Sequence, residues 1–303
     1  MRFGMREAAR MGSMVSQSRI PWRLFFLFTI AATVSGKTFE NIEYGNPSGY
    51  SLRMDAHVPD GPGVYPAVVI VHGGAWVIGN RKRSVQPLFQ PLEDAGFAWF
   101  SIDYHLAEVD PASIATTGLA AISSARTAVD DIREAVSYVR THAAEYRVDP
   151  NRIALLGESA GAQLASMAAL KPRPGSGVQA VVAFYCPSDL ANLIQDNKQI
   201  PDPIRHALEG SQMGNALYSA LRELSPINWV RRDSPPFLLI HGTKDRLVPF
   251  QQSIDMRDAL QKAGANGEVY SVPGGGHGVL WWEGADLTRY KQPMVRWLKE
   301  KLQ

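Results

Sequence analysis

The chain has 303 residues, ample for one large α/β domain, and its 45% hydrophobic and 20% charged residues exclude a disordered or collagen-like polymer. The formal net charge of +2 originates in the first 36 residues, where five arginines face one acid. The remainder is slightly acidic and has no basic patch of the kind nucleic acid requires.

Residues 1–36 read as a signal peptide. Arg2, Arg6, Arg10, Arg19 and Arg23 precede an apolar run from Leu24 to Val34. Eleven residues are too few to span a bilayer as a helix, which takes about 20. The small residues Ser35 and Gly36 follow the run. The expected product is a secreted or periplasmic protein of residues 37–303 without a stable membrane anchor. The single cysteine, Cys186, cannot form an intramolecular disulfide or build a thiolate metal site, and it reads as a buried strand residue.

From Lys37 onward two alternating segments, Thr38 to Tyr44 and Tyr50 to Val58, predict antiparallel strands around the turn cluster Gly45-Asn46-Pro47-Ser48-Gly49. Ala67-Val68-Val69-Ile70-Val71 is a continuous apolar run and predicts a central parallel strand, with His72-Gly73-Gly74-Ala75-Trp76 directly after it. Arg81-Lys82-Arg83 reads as a solvated loop. A helix over Val85 to Ala95, a strand over Phe97 to Tyr104 and an amphipathic helix over Thr127 to Ala144 follow. Asp149-Pro150-Asn151 predicts a turn, and Ile153 to Leu156 a buried strand. Gly157-Glu158-Ser159-Ala160-Gly161 comes next, then a helix-forming run from Ala162. Val178 to Tyr185 is a further predicted strand.

Residues 191–235 break this rhythm with Pro201, Pro203, Gly210 and Gly214 and are expected to form a cap insertion. The alternation resumes with a strand at Pro236 to His241, a helix at Ile254 to Ala263, a strand at Glu268 to Val272 and a closing helix at Thr288 to Lys301. The expected fold is α/β, a mostly parallel eight-stranded sheet with helices on both faces. In such sheets the functional site lies at the carboxyl ends of the strands.

Four strand ends carry chemistry. Ser159 sits in a Gly-x-Ser-x-Gly turn between strand and helix, which projects a hydroxyl out of the sheet as a candidate nucleophile. Asp245 and His277 follow two later strands, and the chain order Ser, Asp, His suits a base, His277, oriented by an acid, Asp245. Backbone amides of Gly74 and Ala160, with Gly73 or Ala75, are candidates for an oxyanion hole. Asp189 is a rival acid. Trp76, Trp281 and Trp282 are candidates for a substrate pocket, although each could equally be core. His105, His142 and His206 are isolated and Asp103 suits a structural ion pair. No histidine pair has metal-ligand spacing, so neither metal nor cofactor is expected.

The pieces His72-Gly73-Gly74-Ala75-Trp76, Asp149-Pro150 with Arg152-Ile153-Ala154-Leu155, Gly157-Glu158-Ser159-Ala160-Gly161, Gly242-Thr243-Lys244-Asp245 with Val248-Pro249, and His277-Gly278 together resemble the α/β-hydrolase carboxylesterases of the hormone-sensitive-lipase group and the bacterial acetylxylan and feruloyl esterases. The resemblance implies a serine carboxylesterase acting through an acyl-enzyme. It also implies small acyl groups, such as acetyl or hydroxycinnamoyl esters, on small molecules or polysaccharide. Two residues depart from the pattern: Ala75 stands at a common glycine and Glu158 at a common aspartate. An amide hydrolase of the arylformamidase or peptidase type uses the same triad, and a catalytically inactive binding homologue shares the fold, though such proteins usually lose a triad member.

Overall fold

The computed structural model describes residues 35–108, 114–195, 211–285 and 287–303. The signal peptide expected at residues 1–36 falls almost wholly outside the described residues, as does the middle of the expected cap, with Ile204 to Leu208 and His206.

Eight strands form one sheet: β1 (Gly36–Gly45), β2 (Leu52–Pro59), β3 (Tyr65–Val71), β4 (Ala98–Ile102), β5 (Val148–Glu158), β6 (Ala180–Phe184), β7 (Phe237–Gly242) and β8 (Gly267–Val272). Their order is β1-β2-β4-β3-β5-β6-β7-β8. The pairs β1–β2 and β2–β4 are antiparallel; every later pair is parallel. The expected mostly parallel, eight-stranded sheet is what forms.

The apolar run of β3 explains its central place. Ala67, Val69 and Val71 belong to one core, with Leu155, Ile132, Val136 and Leu164. Val68 and Ile70 belong to the other, with Leu156, Leu92, Met294 and Leu298. Successive side chains of a strand point to opposite faces, so a strand covered on both faces must be apolar throughout. The first core is supplied by helices α2 (Ile114–Thr141) and α3 (Ala160–Leu170), the second by α1 (Phe89–Asp94) and α8 (Lys291–Lys301). Among the described residues the other α-helices are α4 (Leu190–Gln195), α5 (Gln212–Glu223), α6 (Gln251–Ala263) and α7 (Val279–Gly284).

Some local outcomes differ from the sequence reading. Helix α2 begins well before Thr127, because Ala125 and Ile122 extend its core-facing stripe through a stretch whose Ser, Thr and Gly residues are weak helix formers. Asp149-Pro150-Asn151 does not stand as a turn ahead of the strand but lies inside β5. Between the pairs Tyr65–Val148 and Ala67–Ile153 the β5 register shifts, and Asp149 pairs with Arg152 across the irregularity. Arg81 is not solvated. It is buried between Asp55 and Asp103, and it also donates to Asn41. Asp55 on β2 and Asp103 just after β4 give the guanidinium two carboxylates, so burial is tolerated.

Candidate active site

Parallel strands β3, β5, β7 and β8 end on the same edge of the sheet, which brings the four sequence motifs together. Ser159 follows β5 with φ 52° and ψ −123° and precedes α3. A non-glycine residue at positive φ costs about 1–3 kcal/mol and persists where its surroundings over-determine it. Here the Ser159 amide donates to the Phe184 carbonyl and the Ser159 carbonyl accepts from the Gln163 amide. The flanking glycines are steric necessities. A methyl group on Gly161 would run into the carbonyl oxygens of Val71 and His72, and one on Gly157 into the Gly161 backbone.

His277 lies in the loop after β8. Its Nε2 is 2.9 Å from Ser159 Oγ, and its Nδ1 is 2.7 Å from Asp245 Oδ2. A carboxylate only accepts, so Nδ1 carries the proton and Nε2 is free to accept from the serine hydroxyl. The side chain of Asp245 is fully buried. Burial works against its charge. The nearby His241 ring, the hydrogen bond and charge of His277 and the Val248 amide outweigh burial, and they hold the carboxyl well below the usual carboxylate range. Asp189, the rival acid, is used elsewhere: it accepts from the Asn192 amide at the start of α4.

The loop after β3 carries three successive positive φ angles, at Gly74, Ala75 and Trp76. The Gly74 carbonyl accepts from the amides of Val77 and Ile78, folding the segment into a tight turn. His72 is buried and stacked on Tyr104, and its Nδ1 donates to the Gly73 carbonyl. Burial lowers its basicity, so it stays neutral and structural. The Gly73 amide donates to Glu158 Oε1 at 3.2 Å. This corrects the expectation that Gly73 helps hold a substrate oxygen and leaves Gly74, Ala75 and Ala160 as the candidate donors.

The three tryptophans separate. Trp282 is buried in the core and donates to the Gly276 carbonyl, so it does not line a pocket. Trp76 is half-buried and donates to Gln163 Oε1, whose amide nitrogen in turn donates to the Leu224 carbonyl. Trp281 is 77% exposed and its indole lies against Gly278, next to His277. Ile78, Leu247 and Leu280 are also exposed, each within four residues of a site motif.

Sequence reasoning missed three contacts. His241 approaches Asp245; its strand position looked like ordinary core. His105 is not isolated, since its Nδ1 pairs with Asp131 Oδ2 at 2.8 Å. Tyr185 reaches Glu158, a link between two strands that no sequence spacing signals. Among the described residues no cluster of His, Cys, Asp or Glu could hold a metal ion, and no helix is long and apolar enough to cross a membrane.

Comparison with known proteins fits this geometry. The family profile described as BD-FAE matches residues 54–260. The chain belongs to that family. It is 31% identical over 242 residues to the probable carboxylic ester hydrolase LipM of Mycobacterium tuberculosis, covering 76% of this chain and 52% of that protein. It is 32% identical over 242 residues to the esterase LipQ of the same organism, covering 74% and 53%. The chain thus spans about half the length of the curated relatives it matches. Among solved structures it is similar to a truncated carbohydrate esterase from gut microbiota, with TM-score 0.71 and 27% identity over 89% of this chain and 98% of that one. The esterase Est2 of Thermogutta terrifontis shares the α/β-hydrolase fold, with TM-score 0.65 at 23% identity over 88% of this chain and 90% of that one.

Proposed function

We propose that this BD-FAE chain is a serine carboxylic ester hydrolase. The observation that carries the reading is the unbroken hydrogen-bond line from Ser159 Oγ through His277 to the buried Asp245 carboxylate. Ser159 Oγ attacks the ester carbonyl while His277 Nε2 takes its proton. The tetrahedral oxyanion is held by the amides of Ala160, Gly74 and Ala75, where each such donor is worth about 3–4 kcal/mol. Collapse expels the alcohol, which receives the proton from His277. Water then repeats the sequence on the acyl-enzyme. Asp245 keeps the imidazole in the working tautomer and stabilises the imidazolium.

The substrates we propose are esters of small acyl groups, acetyl or hydroxycinnamoyl, including those carried on polysaccharide. The similarity to the gut carbohydrate esterase and the motif resemblance support this. The basic leader and apolar run of residues 1–36 support export, and the excursion at residues 191–235 supports a cap.

The test is an activity profile of the purified protein and of Ser159→Ala. Substrates are 4-nitrophenyl esters of increasing acyl length, acetylated xylan, methyl ferulate and N-formylkynurenine. The expected result is preference for short acyl groups, acetate release from xylan and no turnover by Ser159→Ala. Turnover of simple aryl esters alone sinks the carbohydrate part, preference for N-formylkynurenine sinks ester specificity, and an active Ser159→Ala removes the mechanism.

A further inference from the structure

Beside Ser159 lies a second buried line of hydrogen bonds that the reaction above does not use. Glu158 is 4% exposed and offers its two carboxylate oxygens to two different loops. Oε1 accepts from the Gly73 amide at 3.2 Å, at the root of the loop bearing Gly74 and Ala75. Oε2 accepts from the Tyr185 hydroxyl at 2.5 Å. That hydroxyl oxygen accepts in turn from the Val279 amide at 3.0 Å, two residues past His277. One carboxylate and one phenol therefore tie together the segments carrying the nucleophile, the candidate oxyanion donors and the base.

The backbone at Tyr185 is strained, with φ 36°, and its amide is held by the Ile240 carbonyl. Its ring lies 4.5 Å from the His277 ring, centroid to centroid. Burial, then the charge and hydrogen bond of Glu158, push the phenol well above its ordinary range, so it remains a donor at any working pH. A strained residue kept in place at a buried junction of loops is what fixed spacing requires.

We propose that Glu158 and Tyr185 are positioning residues, a clamp that sets the separation between the Gly74–Ala75 amides and the His277 imidazole. This rests on the serine-hydrolase reading given above. The clamp acts on reaction geometry, so its loss lowers kcat and leaves KM nearly unchanged.

The test uses the full protein with 4-nitrophenyl acetate, and kcat is expressed per active site counted by the burst of 4-nitrophenol, which excludes misfolded molecules. Tyr185→Phe removes both bonds of the hydroxyl; kcat is expected to fall ~30–100-fold, the scale of a displacement of about 1 Å, with KM changed by under about threefold. Glu158→Ala is expected to match it. Glu158→Gln keeps an acceptor for Gly73 and a partner for the phenol, and is expected to recover at least about tenfold of the Glu158→Ala loss. If the two residues act as one unit, the double variant Glu158→Ala/Tyr185→Phe is no slower than the slower single. The clamp is overturned if Tyr185→Phe retains kcat within about threefold of wild type, if Glu158→Gln recovers nothing, or if the two losses multiply. Ser159→Ala, run beside them, separates the two ideas: a dead Ser159→Ala with a normal Tyr185→Phe removes only the clamp.

Discussion

His241 Nε2 lies 3.5 Å from Asp245 Oδ2, the same oxygen that His277 Nδ1 reaches at 2.7 Å. The His241 ring is fully buried and fixed on both sides, by the Val248 carbonyl at Nε2 and the Ser253 hydroxyl at Nδ1. The acid is thus gripped between two imidazoles and the amides of Leu247 and Val248. In Asp245→Asn the amide cannot hold the His277 tautomer. We expect kcat on 4-nitrophenyl acetate to fall by about 10⁴-fold, with the far-ultraviolet circular dichroism unchanged. A loss under about tenfold would remove Asp245 from the role.

The same carboxylate makes stability depend on acid. Its folded-state value lies below the ordinary aspartate range of about 3.9, so its contribution is full above that range and disappears as pH falls toward the folded value. Thermal melts of wild type and Asp245→Asn are expected to differ most at pH 6 and to converge as pH is taken below about 4. A gap that widens in acid would contradict the sign.

Arg81 offers a test remote from the chemistry. It is the cation between Asp55, which is 6% exposed, and Asp103. Arg81→Met leaves carboxylates without their main cation, with Lys82 and the Asn41 amide still at Asp55. The expected cost is about 3–5 kcal/mol, a drop in melting temperature of about 10 °C. A shift under about 2 °C would make the network unimportant.

Cys186 is completely buried, and burial pushes its thiol up to about 12. Ellman's reagent at pH 8 is expected to find no reactive thiol in the native protein and one per chain in guanidinium. Rapid reaction of the native protein would contradict its placement beside Ser166 in the core.

The sheet was legible because its strands are short apolar runs separated by helix-period segments, a contrast that survives in a single sequence. The candidates Ser159, Asp245 and His277 could be picked out because a parallel sheet puts its strand ends together, and the structure brings them within hydrogen-bond distance. What was hidden depends on contacts between distant segments. The Gly73 amide faces Glu158 only because β3 and β5 are neighbours in register. Arg81 looked like part of a charge cluster until β2 and the residue just after β4 supplied its carboxylates. Helix α7 spans six residues, too few for a period to appear, and its two tryptophans fall on opposite sides of it, one in the core and one in solvent.

That last division has a practical use. Among the described residues Trp281 is the exposed tryptophan; Trp99, Trp282 and Trp297 are buried, and Trp76 and Trp229 half-buried. Its indole therefore emits from water while the buried ones emit from the interior, and a soluble quencher such as iodide will reach it first. Because it leans on Gly278, one residue from the base, its quenching is expected to fall when an inhibitor is bound at Ser159, an optical gauge of occupancy readable without a label or turnover; unchanged quenching would place Trp281 away from the bound molecule.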